Sequence, residues 1–414
     1  MMTTNPEKGI VAFVSDCLRW SFAGGTVFKI YLAVILILMG AGGVAYSRQF
    51  QEGLIVTGMS NIVSWGLYIS NFTFFVGVAA AAVMLILPAY MLKDKDLQEV
   101  VIIGEGVAVG ALVMCLLFIT VDMGGPLKVW HMIPGIGLFN WPSSILTWDV
   151  LVLNGYLALN GLVPLYILYC NYNNRKPVGW KYMPFVFLSI FWAVSIHMVT
   201  AFLYQGLPAR PFWNNPLLGP RFLASAFAAG PAVIMMVLIA IKQHTPYLVD
   251  DNIFRKLNRI IVVSAVINLI MLFSEVFKEF YNFTHHSLSA QYLFFGLDGH
   301  DSLVPWIWTA ISLNIFGTLL FAFGPSKTYR PRYLMLAAAS LFTGIWIEKG
   351  FGLIIPGFVP SPMGEVVDYT PSLTEIQITL GVLATGAFVV TLLIKPALVI
   401  LGKNKKEVVE TASC

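Results

Sequence analysis

Two carboxylates and an imidazole stand near the ends of apolar segments in the first half of the chain. Asp122 closes one segment, and the stretch after it, KVWHMIPGIGLFNWPSS, carries His131. The next segment opens SILTWDVLVLNGYLALN and places Asp149 about one helical turn inside its start. Tyr68 and Asn71 lie three apart in an earlier segment and share a helix face. A carboxylate and an imidazole at a dry pocket mouth suit the removal of protons from a hydroxyl under oxidation. Imidazole titrates near pH ~6.5, and burial raises an Asp toward that range. Quinol oxidation is chemistry of this kind, since two protons leave with two electrons. Trp130, Phe139, Trp141 and Trp148 can wall a ring and an isoprenoid tail, or equally form an interfacial aromatic belt. Asp122 and Asp149 also have a plainer reading as interfacial helix-end residues, Asp149 being favoured there by the helix dipole.

Further polar residues interrupt the apolar segments. Glu105, with Glu99 before it, is a candidate for a proton route toward the cytoplasm or a neutral group that only packs. Asn154, Tyr156 and Asn160 lie deeper than Asp149. The second half holds His197, Glu275, Lys278 and Glu279, then Asn314, Glu348 and Lys349. Glu275 with Glu279 and Glu275 with Lys278 share a helix face, which reads as charge compensation or as part of a relay. Together these groups could form a second pocket or a proton path through His197, Glu275 and Glu279.

The elements that must position these residues are membrane helices. The chain is 58% hydrophobic and 11% charged, against roughly 25% charged in a soluble domain. Apolar stretches near 25–45, 63–91, 100–122, 145–171, 182–204, 221–242, 260–283, 304–324, 333–356 and 376–400 are long enough to span a bilayer. The expected fold is an all-α polytopic membrane protein with ten transmembrane helices. Residues 1–24, with Glu7, Lys8, Asp16 and Arg19 among apolar residues, read as an amphipathic surface segment, and no cleavable signal peptide is visible. The stretch 46–62 is a loop or a short interfacial helix.

Loop charge gives an orientation. Seventeen Lys and Arg fall on the side of the two termini: Lys8, Arg19, Lys93, Lys95, Arg175, Lys176, Lys181, Lys242, Arg255, Lys256, Arg259, Lys327, Arg330, Arg332, Lys403, Lys405 and Lys406. Arg48, Lys128, Arg210 and Arg221 are the four on the other side. The positive-inside rule then makes both termini cytoplasmic and the longer loops 123–144, 205–220, 284–303 and 357–375 extracytoplasmic. Such loops suit docking of another subunit. A nucleic-acid partner is excluded by the lack of a basic, aromatic-interleaved stripe.

Metal and haem chemistry find no support in the spacing. Cys17, Cys115, Cys170 and Cys414 form no paired motif. His197 is the one His well inside a span, because His131, His285, His286 and His300 belong to boundaries or loops and His244 to the cytoplasmic side. A bis-His haem, an iron–sulfur cluster and a metal site in this chain are therefore not expected.

The stretches WHMIPGIGLFNWPSSILTWDVLVLNGYLALN and SIHMVTAFLYQGLPARPFW, the latter followed by GPRFLASAFAAGPA, resemble the NrfD/PsrC family of polysulfide-reductase-type membrane subunits. The ten-span layout resembles the subgroup containing DsrP, QrcD, HmcC and HybB rather than the eight-span PsrC form. This resemblance implies two four-helix bundles, spans two to five and six to nine, with a flanking helix at each end. In residue numbers it gives a first flanking helix and outer loop over 25–62, a first bundle over 63–204, a second over 205–356, and a last flanking helix and tail over 357–414. It implies a menaquinone or ubiquinone pocket, menaquinone being favoured, at the outer side of the first bundle. His131 and Asp149 match that pocket, with Tyr68, Asn71, Asp122, Trp130 and Trp148 around them. It also implies a multi-pass protein of the cell inner membrane within an anaerobic respiratory complex. Its partners there would be a ferredoxin-like iron–sulfur subunit on the periplasmic side and multihaem cytochrome c or molybdopterin-type subunits.

Two other readings compete. A secondary transporter would carry paired broken helices at mid-membrane, whereas here polar groups crowd the outer third. A structural anchor would hold a redox subunit without touching quinone, and the outer polar cluster counts against it.

Overall fold

The computed structural model describes residues 9–324 and 329–412, without the side chains of His285 and of residues 403–412. Glu7, Lys8, Lys327 and Cys414, and the side chains of Lys403, Lys405 and Lys406, therefore lie outside the described residues.

Among the described residues ten helices are long and apolar enough to cross a membrane: Thr26–Glu52, Leu67–Met91, Val101–Asp122, Ile145–Tyr172, Gly179–Gln205, Leu218–His244, Asp251–Tyr281, Val304–Phe323, Pro331–Ile354 and Leu373–Gly402. They are called spans one to ten below. Each expected segment is present, and the departures are at the ends. Span one continues to Glu52 because SRQFQE is helix-compatible, and it stops at Gly53, whose φ of 83° ends the helix. A short turn, Leu54–Val56, then occupies part of the uncertain 46–62 stretch. Span seven begins at Asp251, not near 260, because the Asp250 side chain caps it by accepting from the Asn252 amide. The cap carries the helix through the polar DNIFRKLNR segment. Span two is irregular, with a tight turn at Ala80–Ala82 and a wide turn at Leu87–Met91. Pro88 lies in that wide turn and lacks the amide proton a regular helix needs.

Spans two to five pack on one another, and so do spans six to nine. Spans two and six form the main seam between these bundles. At that seam a Cβ on Gly230 would come within 2.4 Å of the Ala81 methyl, so only glycine permits the crossing. The two flanking helices come together beside the first bundle. Spans one and ten pair with each other, and span ten also packs on span three of the first bundle. Gly42 and Gly381 make this possible, since a Cβ on Gly42 would sit 2.6 Å from the Gly381 Cα. The N-terminal segment does form a helix, Ile10–Phe22, lying against span ten. Phe13 packs edge-on against Tyr169 and Tyr172, while Ile10, Val11, Val14 and Leu18 stay exposed.

The long connections interlock at one end of the bundles, termed the long-loop face. Trp65 stacks on Trp213 at 5.8 Å between ring centroids, and the Trp213 indole donates to the Leu353 carbonyl at 2.9 Å. Arg210 donates to the Phe358 carbonyl at 3.1 Å, and Tyr369 accepts from the Leu67 amide at 2.8 Å. At the opposite, short-loop face Lys256 bridges Asp94 and Asp96 at 2.6 and 2.7 Å. Asp94 is partly desolvated, but hydrogen bonds from Lys256 and the Leu97 amide outweigh this and hold its carboxyl below the usual range.

Candidate functional site in the first bundle

Asp149 occupies the second turn of span four and is 1% exposed. Among the described residues its side chain has one hydrogen-bond partner, the Thr200 hydroxyl of span five, which donates at 3.0 Å. The same hydroxyl lies 2.8 Å from the Ile196 carbonyl. Thr200 follows His197 by three residues, on the same side of span five, so the HMVT tetrapeptide already held this partner.

His131 lies in the short helical stretch Pro126–Met132 of the long-loop face and is half-buried. Its ring stacks on Trp130 at 3.8 Å between centroids. The loop folds tightly back here: a Cβ on Gly137 would lie 2.2 Å from the His131 Cα. Among the described residues no hydrogen bond or ion pair joins His131 to Asp149. Trp148 donates its indole N–H to the Pro142 carbonyl at 2.8 Å and lies beside Trp141, with centroids 4.3 Å apart. Trp130 and Trp148 are both exposed.

The remaining residues expected at this depth are buried but point to different neighbours. The Tyr68 hydroxyl donates to Gln49 of span one at 2.7 Å, and Gln49 donates to the Val121 carbonyl at 2.6 Å. Asn71 donates to the Leu67 carbonyl and accepts from the Trp346 indole at 3.0 Å. Asp122 has a buried oxygen without a partner among the described residues and is within electrostatic reach of Glu375. Tyr204, hydrogen-bonded to Thr73, is within electrostatic reach of both Asp149 and Asp122. Glu375 is fully buried and accepts from the Gly58 and Ser372 amides and the Tyr369 hydroxyl. With Ser372 as its partner it closes a capping box at the start of span ten. Gln49, Tyr204 and Glu375 are absent from the sequence-derived set. Only Glu375 had a local signal, the S-x-x-E spacing.

Deeper in this bundle several buried polar atoms have no partner among the described residues. His197 is fully buried and its Nδ1 donates to the Ala193 carbonyl at 2.9 Å. Its Nε2 is left as an acceptor with no partner. The Tyr156 hydroxyl, the Asn160 side-chain oxygen and one Glu105 oxygen are likewise unpartnered. Glu105 is within electrostatic reach of Tyr156 and of Tyr90. By helix rise Asp149 lies about 6 Å and Asn160 about 22 Å from the start of span four, while Glu105 is about 6 Å from the short-loop end of span three. The polar atoms thus recur along the depth of the bundle.

The second bundle is organised differently. Arg221 makes ion pairs with both Glu275 and Glu348, the latter at 2.6 Å. Asn215 donates to Glu275 at 3.1 Å and Asn314 to Glu348 at 2.6 Å. Lys349 lies 3.6 Å from Glu348 and over the Phe222 ring at 5.5 Å. Arg221 is therefore a buried helix residue, 7% exposed, and not the loop charge expected of it. Two carboxylates repay its desolvation. Lys278 pairs with Glu279 at 2.9 Å and not with Glu275, which Arg221 has taken. A cavity of about 20 Å³ touches Arg221, Glu275, Glu279, Glu348 and Lys349, space for a water molecule or two.

Among the described residues no group of three or more His, Cys, Asp or Glu could hold a metal ion. Fold and site together define a helical, multi-pass membrane protein with an uncompensated carboxylate near one membrane face. Residues 55–359 match the family described as Polysulphide reductase, NrfD, and the chain belongs to that family. Three relatives are each 24% identical. One is a putative dimethyl sulfoxide reductase membrane subunit of Halobacterium salinarum, matched over 88% of this chain and 90% of its own length. The others are the Hdr-like menaquinol oxidoreductase integral membrane subunit of Archaeoglobus fulgidus and a selenate reductase subunit of Mesobacillus selenatarsenatis. Each of these is matched over 92% of this chain and 96% of its own length.

Proposed function

We propose that this chain is the quinone-reactive membrane subunit of a respiratory oxidoreductase complex, inactive as an enzyme by itself. The observation that carries this reading is Asp149: a buried carboxylate near the long-loop end of the first bundle, held by one hydroxyl and no cation. A bound quinol supplies two electrons and two protons. Asp149 takes one proton at its carboxylate, while Thr200 fixes the other oxygen and so orients the group. His131, half-buried and stacked rather than ion-paired, is the second proton acceptor, and Trp130 keeps its ring in place. Tyr68, Asn71, Asp122 and Trp148 shape the surroundings. A menaquinone is the favoured substrate, in line with the printed name of the Archaeoglobus relative.

The loop charge supports cytoplasmic termini in the cell inner membrane, with the long-loop face periplasmic. An iron–sulfur subunit docks on that face and exchanges electrons with the quinone. Cytochrome c or molybdopterin-type subunits complete the complex. From Asp149 a proton route runs inward past His197, Tyr156 and Asn160 to Glu105, whose unpartnered atoms are the acceptors and donors that intervening water would join. Glu275 and Glu279 border the water-sized cavity of the second bundle and are the candidates for a second route.

Quinol turnover by purified complexes carrying Asp149→Asn and His131→Ala tests the assignment. Both should fall, Asp149→Asn by about 10²-fold or more. Wild-type turnover in both would remove these residues from the site. In proteoliposomes, Glu105→Gln should abolish the pH change that accompanies turnover while electron transfer continues. An unaltered pH signal would take Glu105 out of the route.

A further inference from the structure

The seam between the bundles holds two small cavities, and the Lys349 side chain borders both. The first, of about 10 Å³, is lined by Thr73 of span two, Ser225 of span six and Lys349 of span nine, with apolar residues between them. That is the room of a single water, and three polar side chains face it. The second is the cavity of about 20 Å³ in the charge cluster of the second bundle, where Lys349 stands with Glu348 and Glu279. Lys349 is 3% exposed. Its ion-pair partner Glu348 is 3.6 Å away, beyond hydrogen-bond length, and the Phe222 ring lies under it at 5.5 Å. A buried ammonium has three protons to donate, and the two cavities are where water can accept them.

On the first-bundle side Thr73 continues the line. Its hydroxyl donates to the Ile69 carbonyl at 2.8 Å and so accepts from the Tyr204 hydroxyl. Tyr204 is within electrostatic reach of Asp149. On the second-bundle side Glu279 borders the larger cavity and pairs at 2.9 Å with Lys278, whose side chain is 53% exposed. By helix rise Asp149, Thr73, Lys349 and Glu279 all lie within about 10 Å of the long-loop ends of their spans. The line therefore runs across the molecule, parallel to the membrane, and reaches the surface at Lys278.

We propose that Lys349 is a proton relay across this seam, carrying toward the long-loop face the proton that quinol oxidation leaves on Asp149. This rests on the quinone reading above and adds a lateral exit beside the line to Glu105. The proton passes by the Tyr204 and Thr73 hydroxyls and a water in the first cavity to the Lys349 Nζ. Lys349 takes it as it gives another to a water in the second cavity, and Glu279 and Lys278 pass that one out. Each group ends with the protons it began with, so charge balances and both ion pairs of Arg221 stay intact. A lysine suits this step because an ammonium can release a proton, whereas a guanidinium keeps its own. The plainer role, charge balance for the two carboxylates beside Arg221, asks only for a cation at this position.

Quinol turnover by the purified complex, with kcat and KM separated, tests the proposal. Lys349→Met and Lys349→Arg should each lower kcat about tenfold with KM unchanged, a partial loss because the line to Glu105 stays open. The solvent isotope effect on kcat should rise in both, since proton transfer then limits the rate. Thr73→Val, which changes no charge, should lower kcat in the same direction. Thermal unfolding of each variant confirms that it is folded. Where Lys349→Arg does not fold, Lys349→Met and Thr73→Val read the same route. Wild-type kcat in Lys349→Arg beside a loss in Lys349→Met would make Lys349 a structural cation and overturn the proposal. Wild-type kcat in Lys349→Met or in Thr73→Val, or an unchanged isotope effect, would overturn it too. Asp149→Asn keeps the two readings apart: full turnover there removes the quinone site itself, whereas its collapse beside unaffected seam variants removes only the relay.

Discussion

The two bundles both bury carboxylates inside the membrane, and they treat them in opposite ways. In the second, Glu275 and Glu348 share Arg221, with Lys349, Asn215 and Asn314 completing the set. In the first, Asp149 has a hydroxyl and Glu105 has an oxygen with no partner, and among the described residues no salt bridge reaches either. Ion pairing fixes each charge, because a proton on Glu275 or Glu348 would break an ion pair to Arg221 in a low-dielectric interior. A carboxylate without a counter-charge can exchange its proton with a ligand and break no ion pair in doing so. The second bundle is thereby suited to hold shape, and the first to exchange protons.

The sharpest way to break this contrast is Arg221→Met. It leaves Glu275 with no cation and Glu348 with only Lys349, 3.6 Å away, which should cost about 3–5 kcal/mol and lower the thermal unfolding temperature in detergent markedly. Adding Glu275→Gln to the same chain should recover most of that loss, since Glu348 keeps Lys349 and no carboxylate of the cluster is then without a cation. A singly substituted Arg221→Met protein as stable as the parent would mean that the cluster is not a structural clamp.

How far this division could be read from the chain depends on distance along it. The spans were legible because hydrophobic length is a local property, and even span seven was misplaced only where a capped helix runs through polar residues. Asp149 and Glu105 stood out because a carboxylate among apolar residues is conspicuous by itself. Arg221 did not, because its partner Glu348 is 127 residues away, so at the start of its span it looked like a loop charge. That the His197 Nε2, the Tyr156 hydroxyl and the Asn160 oxygen meet no partner among the described residues is likewise tertiary: spacing shows what a side chain is, not what it fails to meet. Tyr68 and Asn71 show the converse. They lie three apart on one helix, yet one reaches span one and the other span nine.

A second variant pair sharpens the contrast from the side of the first bundle. Asp149→Asn keeps an oxygen for the Thr200 hydroxyl, so its unfolding temperature should stay near wild type while quinol turnover collapses. This is the reverse of the Arg221→Met pattern. Thr200→Val removes the one donor and leaves the carboxylate in place. It should cost about 1–2 kcal/mol of stability and lower turnover about tenfold, because Asp149 loses orientation and not its proton-accepting atom. Equal turnover in Thr200→Val and wild type would show that the hydrogen bond positions nothing.

The smallest expected effect concerns a carboxylate with a partner but outside the membrane. Asp368 of the long-loop face accepts from Ser302 at 2.6 Å and from His300 at 2.8 Å, joining two loops. Burial pushes its carboxyl up, but the Ser302 and His300 hydrogen bonds outweigh that and hold it below the usual 3.8. A carboxyl lowered on folding contributes stability that is present above about pH 4 and fades as pH falls through its depressed folded value. The group is a third exposed and screened by water, so Asp368→Asn should cost only about 0.5 kcal/mol at pH 7. It should leave quinol turnover unchanged, and the difference from wild type should vanish in strong acid. A loss as large as that of Arg221→Met would mean that solvent does not screen this junction, and that an exposed carboxylate can hold the fold as firmly as the buried ion-paired cluster.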